Sequence, residues 1–292
     1  MKYLYSIAGI NVLCEIPFFV NECEELKDFF YPVHDRDVVK ADMTMQFCMV
    51  NAFSTFNKDK CFCKACRYFQ IGSAERKIYY CASPENDPHA CVTLKGKNPH
   101  HILCEYIEGK EKYLNYSRNI LECFGIENLL WIFGGFLLHS SLISIKEKGI
   151  LFSGPSGIGK STQARLWEQY ENAEILNGDR AAIRHIRDKW IAYGSPCAGT
   201  SRIYRNEYTE IRAIVILRKA TENRIRKVSL PEAFVCLYPE VTVHSWDKEF
   251  VEDVSENLRK LLMNIPVYML ECMPEENAVI LLKNTILQQN DS

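Results

Sequence analysis

The sequence predicts an α/β protein in which a mixed-sheet core follows a smaller β-rich or α+β N-terminal domain. Three observations support this prediction. After residue 138, short apolar runs typical of strands alternate with longer segments of helical periodicity. A glycine-rich segment, Gly154 to Ser161, lies between a predicted strand and a predicted helix. Before residue 112, short segments of alternating apolar and polar residues are separated by turn-forming residues, which indicates β-structure.

The composition is that of a folded protein with no excess of basic charge. The 292 residues are 47% apolar and 25% charged, and 35 Lys and Arg face 37 Asp and Glu for a net charge of -2. We therefore expect neither nucleic acid nor a membrane surface as a partner. The longest apolar run, Leu129 to Leu138, is interrupted by two glycines and is too short to span a bilayer, which needs about 20 residues. The first residues show no export signal, so a cytoplasmic location is expected.

The N-terminal part contains several short strand patterns. These are Tyr3 to Phe18 around Gly9, Lys77 to Cys81, Cys91 to Leu94 and Ile102 to Ile107, with a turn-rich stretch from Ser83 to Pro88. Lys110 to Lys112 is a polar break, after which Tyr113 to Leu138 has helical spacing. We place the domain boundary near residue 112, with domains over 1–112 and 113–292.

Ten of the 13 cysteines lie in the first 123 residues. Cys61, Cys63 and Cys66 form C-x-C-x-x-C, which could hold zinc or an iron-sulfur cluster if a fourth ligand were added. The candidates for that ligand are Cys48, Cys81, His89 and Cys91. The alternative is that these are free thiols packed as small apolar residues in a reducing compartment, and no second C-x-x-C is paired with the first.

The C-terminal part of the sequence is predicted to contain alternating strands and helices. Strands are predicted over Ser141–Ile145, Ile150–Ser153, Glu174–Asn177, Ala181–Ile186, Trp190–Tyr193, Glu210–Leu217 and Val267–Leu270. Helices are predicted over Lys160–Tyr170, from a capping box at Ser229–Glu232 through Leu237, over Asp247–Ile265 and over Pro274–Gln288. Gly194 to Thr209 is predicted to be a polar loop.

Residues 154 to 161 match the P-loop pattern G-x-x-x-x-G-K-[ST] in full. In such a loop the backbone N–H groups and the helix N-terminus face phosphate oxygens, the lysine reaches the β- and γ-phosphates, and the hydroxyl binds Mg²⁺. The pattern therefore predicts a nucleoside triphosphate ligand with Mg²⁺. The predicted binding residues are Gly154, Ser156, Gly157, Ile158, Gly159, Lys160, Ser161 and Thr162.

Two further side chains are candidates for this site. Asp179 follows an apolar run about twenty residues after the loop and could hold the metal with Ser161 or accept the proton of an attacking hydroxyl, unless it is only an exposed turn residue. His139, which we place at the start of the strand before the loop, is either functional or a satisfied strand-end residue.

Three segments of the sequence resemble the catalytic domain of HPr kinase/phosphorylase. Related small kinases of the phosphoenolpyruvate-carboxykinase-like P-loop fold share this resemblance. The segments are His139 through the glycine-rich loop, Ile175 to Arg180 and Tyr193 to Pro196. The resemblance covers roughly residues 130 to 235. His139, the loop and Asp179 match the family's histidine, its G-x-S-G-x-G-K-S loop and its Asp-Asp pair. The resemblance implies a mixed-sheet P-loop core and transfer of the γ-phosphoryl group of ATP to a serine hydroxyl, with an aspartate as base and acidic groups holding Mg²⁺.

The sequence departs from the family pattern in two places. Gly178 stands where the family often has its first aspartate, so Asp179 acts alone or another acid, Glu207 or Glu210, contributes. The segment Tyr193 to Arg205 replaces the family's long signature, which argues against HPr as the substrate and for a resemblance to stand-alone members, some of which phosphorylate serine in a peptide precursor.

Loop arginines are candidates for stabilising the charge of phosphoryl transfer. We predict that the catalytic residues are Asp179, His139, Lys160 and Arg202. Arg180 and Arg205 are alternatives to Arg202, and the bland interpretation of any of these arginines is a solvated side chain.

Three functions remain open from the sequence. The first is an ATP-dependent serine kinase acting on a peptide or protein, with the N-terminal domain recognising the acceptor. The others are a kinase for a small molecule such as free serine or a sugar, and a non-catalytic nucleotide-dependent binding protein. A homo-oligomer is compatible with each of them.

Overall fold

The computed structural model describes residues 1–34, 37–72, 75–83, 85–95 and 100–287. The chain divides into two compact units, Met1–Ile132 and Phe133–Ser292. Each unit contains helices and a mixed sheet, so the fold class is α/β. Among the described residues, no helix is both long and apolar enough to cross a membrane.

The first unit is built on one sheet, whose strand order is β3-β1-β2-β4-β9-β8-β7-β6-β5 within the described residues. The strands are β1 Lys2–Ile7, β2 Ile10–Glu15, β3 Phe30–Val33, β4 Met43–Val50, β5 Phe62–Lys64, β6 Arg67–Ile71, β7 Glu75–Tyr80, β8 Ala90–Lys95 and β9 His101–Ile107. Strand β4 runs parallel to β2 and β9, and the other neighbours are antiparallel. The β1–β2 turn has Ala8 and Gly9 at positive φ, as a tight hairpin requires.

Two short helices, α1 Ser117–Phe124 and α2 Ile126–Ile132, complete the first unit. The Tyr5 hydroxyl donates to the carbonyl of Ser117 at 2.7 Å, and the Tyr80 hydroxyl donates to the carbonyl of Cys123 at 2.6 Å. Because these helices are bonded to the first sheet, the division between the units follows residue 132 and not residue 112. The continuous helix predicted over 113–138 is wrong, since Gly125 at φ 66° separates α1 from α2 and a strand begins at residue 136.

The second unit is built on a sheet of order β11-β10-β13-β14-β15-β17-β16 within the described residues. The strands are β10 Phe136–Ile145, β11 Lys148–Ser153, β12 Glu174–Asn177, β13 Arg180–Ile186, β14 Lys189–Tyr193, β15 Tyr208–Lys219, β16 Arg224–Lys227 and β17 Val267–Cys272. Strand β12 pairs with β10, and β11 also pairs with β15 in parallel. Five strands therefore form a closed ring of paired neighbours, in the order β11, β10, β13, β14, β15 and back to β11.

Helices α3 Lys160–Glu171, α4 Leu230–Leu237, α5 Lys248–Asn264 and α6 Glu276–Leu287 follow these strands. Ala164 and Trp167 of α3 are buried in one apolar cluster with Phe152 of β11 and Val215 of β15. Strand β11 is buried on both faces, as its unbroken apolar run predicts. This packing fixes the end of β11 and the start of α3, between which the glycine-rich loop runs.

Several local predictions need correction. His139 is the fourth residue of β10 and does not open the strand, because Phe136 to Leu138 are buried strand residues. Ser229 is the N-cap residue of α4 but its side chain forms no cap hydrogen bond, and Glu232 pairs with Arg226 at 2.9 Å, so the predicted capping box is absent. In the described part of the chain the last helix begins at Glu276 and not at Pro274. Gln288, at the end of that prediction, and Pro84, in the predicted turn 83–88, lie outside the described residues.

Candidate active site

The glycine-rich loop between β11 and α3 has an unusual backbone. Gly154, Gly157 and Gly159 have φ values of 141°, 76° and 117°, in the left-handed region that favours glycine. A Cβ atom added at Gly157 or Gly159 would meet no atom within 4 Å, so this side of the loop is open. Within the described residues the amides of Ser156, Gly157 and Gly159 donate to no carbonyl. The loop therefore presents unpaired N–H donors to open space at a helix N-terminus, an arrangement that suits an anion.

Lys160 lies at the start of α3 and folds back over this loop. Its side chain is buried, and its Nζ donates to the carbonyls of Gly154 at 2.7 Å and Pro155 at 3.2 Å. Burial lowers the pKa of the Lys160 ammonium, and the carboxylates of Glu240 and Asp179 oppose that shift. The lysine is thus held inside the loop by two backbone carbonyls, near two acids.

Asp179 stands in a turn between β12 and β13 that Asn177 holds in place. The Asn177 side chain is fully buried, and its Oδ1 accepts from the backbone N–H of Asp179 at 2.9 Å and of Arg180 at 2.7 Å. Its Nδ2 donates to the carbonyls of Ser195 at 2.9 Å and Cys197 at 3.3 Å. The backbone N–H of Ser140 in β10 also donates to the carbonyl of Asp179 at 2.8 Å. Asp179 is therefore a positioned residue of the site.

Position 178 has no room for a side chain. A Cβ at Gly178 would overlap the side chain of Ser201, which lies in the short 3-10 helix Gly199–Ser201. A Cβ at Gly199 would come within 2.7 Å of Asp179 Cγ. The space that a first aspartate would need is therefore filled by the loop after β14.

The two acids that the sequence suggested as replacements are not brought to Asp179. Glu210 pairs with Lys148 at 2.9 Å and Lys189 at 3.0 Å, and these hydrogen bonds lower the pKa of its carboxyl. Lys148 begins β11, so Glu210 lies at the opposite end of that strand from the loop. Glu207 is exposed, and its side chain forms no hydrogen bond or ion pair with the described residues.

His139 and Glu240 complete the group around Asp179. The Nε2 atom of His139 is 3.5 Å from Oδ1 of Asp179, and its Nδ1 atom is 2.8 Å from Oε2 of Glu240. Glu240 ends the 3-10 helix Tyr238–Glu240 that follows α4. The sequence analysis missed Glu240, because it is 101 residues from His139 in the chain and no local motif marks it.

Ser161 and Thr162 are exposed in the first turn of α3. The Ser161 hydroxyl is 3.5 Å from the carbonyl of Gly178, to which Ser141 also donates at 3.1 Å. The fold thus brings the hydroxyl of the loop next to the turn that carries Asp179. A hydroxyl and a carboxylate are the oxygen donors that Mg²⁺ prefers, and Mg²⁺ usually takes one or two protein ligands together with phosphates and water. These two residues fit such an ion.

Arg180 is the arginine that pairs with Asp179. Its Nε is 3.6 Å from Asp179 Oδ2, and its Nη1 donates to Thr242 Oγ1 at 3.0 Å. Arg202 follows the 3-10 helix Gly199–Ser201 with a φ of 52° and is exposed. Within the described part of the chain Arg202 has no hydrogen bond or ion pair. Arg205 is also exposed, and its backbone N–H donates to the carbonyl of Leu176 at 3.1 Å.

A cavity of about 420 Å³ adjoins the loop on the side of α3. Gly157, Ile158, Gly159, Thr162, Gln163, Leu217, Lys219, Ala220, Cys272, Met273 and Pro274 line it. Gln163 is buried and its Nε2 donates to the Cys272 sulfur at 3.2 Å. Burial raises the pKa of the Cys272 thiol, and the hydrogen bond from Gln163 opposes this. The cavity has the size and the mixed apolar lining of a small-molecule site.

The cysteine motif of the first unit is not assembled into a metal site in the described residues, which contain no group of three or more His, Cys, Asp or Glu side chains placed to hold an ion. Cys63 is exposed, while Cys61 and Cys66 are half-buried. The Cys61 thiol donates to the carbonyl of Asn57 at 3.2 Å. Cys81 and Cys91 are buried in an aromatic cluster with residues such as Tyr79.

No family model matches this sequence, and the curated proteins contain no match to it. Among solved structures, the chain is similar to the Hpr(Ser) kinase/phosphatase from Coxiella burnetii. The two share 14% identity over 52% of this chain and 88% of that chain, with a TM-score of 0.31. At this level the likeness assigns neither a family nor an activity.

Proposed function

We propose that the second unit is an HPr-kinase-like, ATP-dependent phosphotransferase that transfers the γ-phosphoryl group to a hydroxyl, that of serine in a peptide or protein. The observation that carries this proposal is the loop of residues 154–160. Its unpaired N–H groups and the buried Lys160 form an anion site, and two carboxylates lie close enough to affect the lysine. An anion site with carboxylates near its lysine suits a charged substrate that reacts beside a base.

Each residue of the group has a role in this reaction. The loop amides and Lys160 would hold the β- and γ-phosphates, for which the lysine must leave the carbonyls of Gly154 and Pro155. Ser161 and Asp179 would hold Mg²⁺, which supplies neutralisation of the phosphate charge. The cavity beside Thr162 would take the nucleoside. Asp179 would accept the proton of the acceptor hydroxyl, as the oxygen attacks the γ-phosphorus and ADP leaves.

Arginine side chains would stabilise the charge that spreads over the phosphoryl oxygens. Arg180 already contacts Asp179, and Arg202 is exposed in the neighbouring loop without a partner among the described residues. An arginine in this role contributes about 10³-fold or more in rate in other phosphoryl-transfer enzymes. We assign the role to Arg202, with Arg180 as the comparison variant.

The test is transfer of label from [γ-³²P]ATP with Mg²⁺ to serine-containing peptides and to free serine. We expect transfer to peptide, and a loss of at least about 10²-fold in Lys160→Met. Lys248→Met, at a side chain that is 89% exposed on α5, serves as the matched control and keeps full activity. Transfer to free serine alone would favour the small-molecule kinase, and ATP binding without turnover would favour a binding protein. ATP binding unchanged in Lys160→Met would refute the site itself.

A further inference from the structure

Glu240 is a partly buried acid that no sequence motif marks and that contacts the proposed site. Its side chain is 11% exposed, and its Oε2 lies 2.8 Å from His139 Nδ1. The backbone fixes this approach, since Leu138 forms a bridge with Val241 and the N–H of Thr242 donates to the carbonyl of Leu137 at 3.0 Å. The segment after α4 is therefore bonded to β10 directly beside the histidine.

The chemistry of this contact orients the ring of the histidine. An ionised carboxylate only accepts hydrogen bonds, so Nδ1 of His139 is the donor to Glu240. The other ring nitrogen, Nε2, is 3.5 Å from Asp179 Oδ1, so the ring lies between the two carboxylates. Without an acceptor at Nδ1, the ring could turn over.

We propose that Glu240 is a positioning residue, which holds the His139 ring so that Nε2 faces the base Asp179. This inference rests on the proposed function. When the acceptor oxygen bonds the γ-phosphorus and the bond from phosphorus to the ADP oxygen breaks, the hydroxyl proton passes to Asp179, beside which the ring is held. Glu240 thus supplies the second carboxylate of the site from a different segment than position 178.

The test separates position from charge by three variants. Glu240→Ala removes the hydrogen-bond acceptor, and we expect kcat to fall about 100-fold while KM for MgATP stays within about threefold. Glu240→Gln keeps an acceptor oxygen without the charge, and we expect a loss of at most about tenfold. Glu252→Ala, whose side chain is 64% exposed on α5, is the control and leaves both constants unchanged.

A double-mutant cycle and a spectroscopic measurement decide between a positioning role and a general structural one. In a His139→Ala background, Glu240→Ala should cost no more than about twofold further, because its effect passes through the ring. The ¹⁵N NMR shifts of His139 should report a hydrogen bond from Nδ1 in the full-length wild type and the loss of this hydrogen bond in Glu240→Ala. The proposal would be overturned if the losses of kcat in the two single variants multiplied in the double variant. An unchanged NMR pattern or an altered Mg²⁺ requirement in Glu240→Ala would overturn it as well.

The two proposals fail in different ways. If the wild type transfers no phosphoryl group, the proposed function is refuted, while the NMR comparison still decides whether Glu240 holds Nδ1 of His139. If transfer occurs and Glu240→Ala is fully active, the proposed function stands and the role of Glu240 is refuted.

Discussion

Replacing Asn177 by alanine should both destabilise the second unit and impair the site. The buried side chain forms four hydrogen bonds, accepting from Asp179 and Arg180 and donating to the carbonyls of Ser195 and Cys197. At a net value of about 1 kcal/mol each, their loss lowers the free energy of unfolding by about 3–4 kcal/mol. For a unit of this size that corresponds to a fall in Tm of about 10 °C.

Asn177→Asp isolates the donor half of this network. The aspartate keeps an oxygen for the two backbone N–H groups but places a buried negative charge against the carbonyls of Ser195 and Cys197. We expect it to be at least as destabilising as alanine, because an unpaired buried charge costs more than an absent hydrogen bond. Urea unfolding of the full chain, followed by circular dichroism, measures both variants.

The control is Gln169→Ala, which removes an exposed amide on α3 and should change the free energy of unfolding by less than about 0.5 kcal/mol. Phosphoryl transfer should fall in both Asn177 variants, since the alanine removes the hydrogen bonds that orient the turn of Asp179 and the aspartate removes those that tie this turn to the carbonyls of Ser195 and Cys197. A change below about 1 kcal/mol in Asn177→Ala would refute the reasoning, because it would mean that water or neighbours replace these bonds at no cost.

Three further predictions concern separate features. Gly178→Asp, which introduces the first aspartate of the HPr kinase/phosphorylase pattern, should reduce activity and stability through overlap with Ser201. Adding Ser201→Gly should recover part of the loss in a thermal melt, and higher activity in the single variant would contradict this. Alkylation of Cys272 by iodoacetamide at pH 7.5 should be slower than alkylation of the exposed Cys63, because burial raises the pKa of the Cys272 thiol. MgATP should slow the alkylation of Cys272 only, when both cysteines are followed by mass spectrometry. Burial and then the charge of Lys110 lower the pKa of His89 to about 4, against about 6.5 when unfolded. The unfolded chain thus binds more protons between these values, so stability should fall as the pH drops from 6.5 to 4, and His89→Phe should flatten this dependence in melts across the range.

Local sequence patterns predicted most strands of both units, because a strand buried on one or both faces leaves its period in the sequence. The hairpin before the glycine-rich loop is an example, with β10 and β11 on either side of Lys146 and Glu147 at positive φ. The helix limits were less accurate. The apolar residues from 129 to 138 fit both a helix and a strand, and only packing decided that α2 ends at Ile132 and β10 begins at Phe136.

The sequence by itself determined the glycine-rich loop, which we propose as the anion site. The glycines at 154, 157 and 159 have positive φ values and the lysine at 160 begins the next helix, so eight consecutive residues specify this local structure. Only the tertiary structure decided which side chains face that loop. Glu240 reaches His139 from 101 residues away and Ser201 fills the space beside Gly178, while Glu210 is held by two lysines at the far end of β11. Contacts between distant segments depend on strand order and register, which no local spacing records.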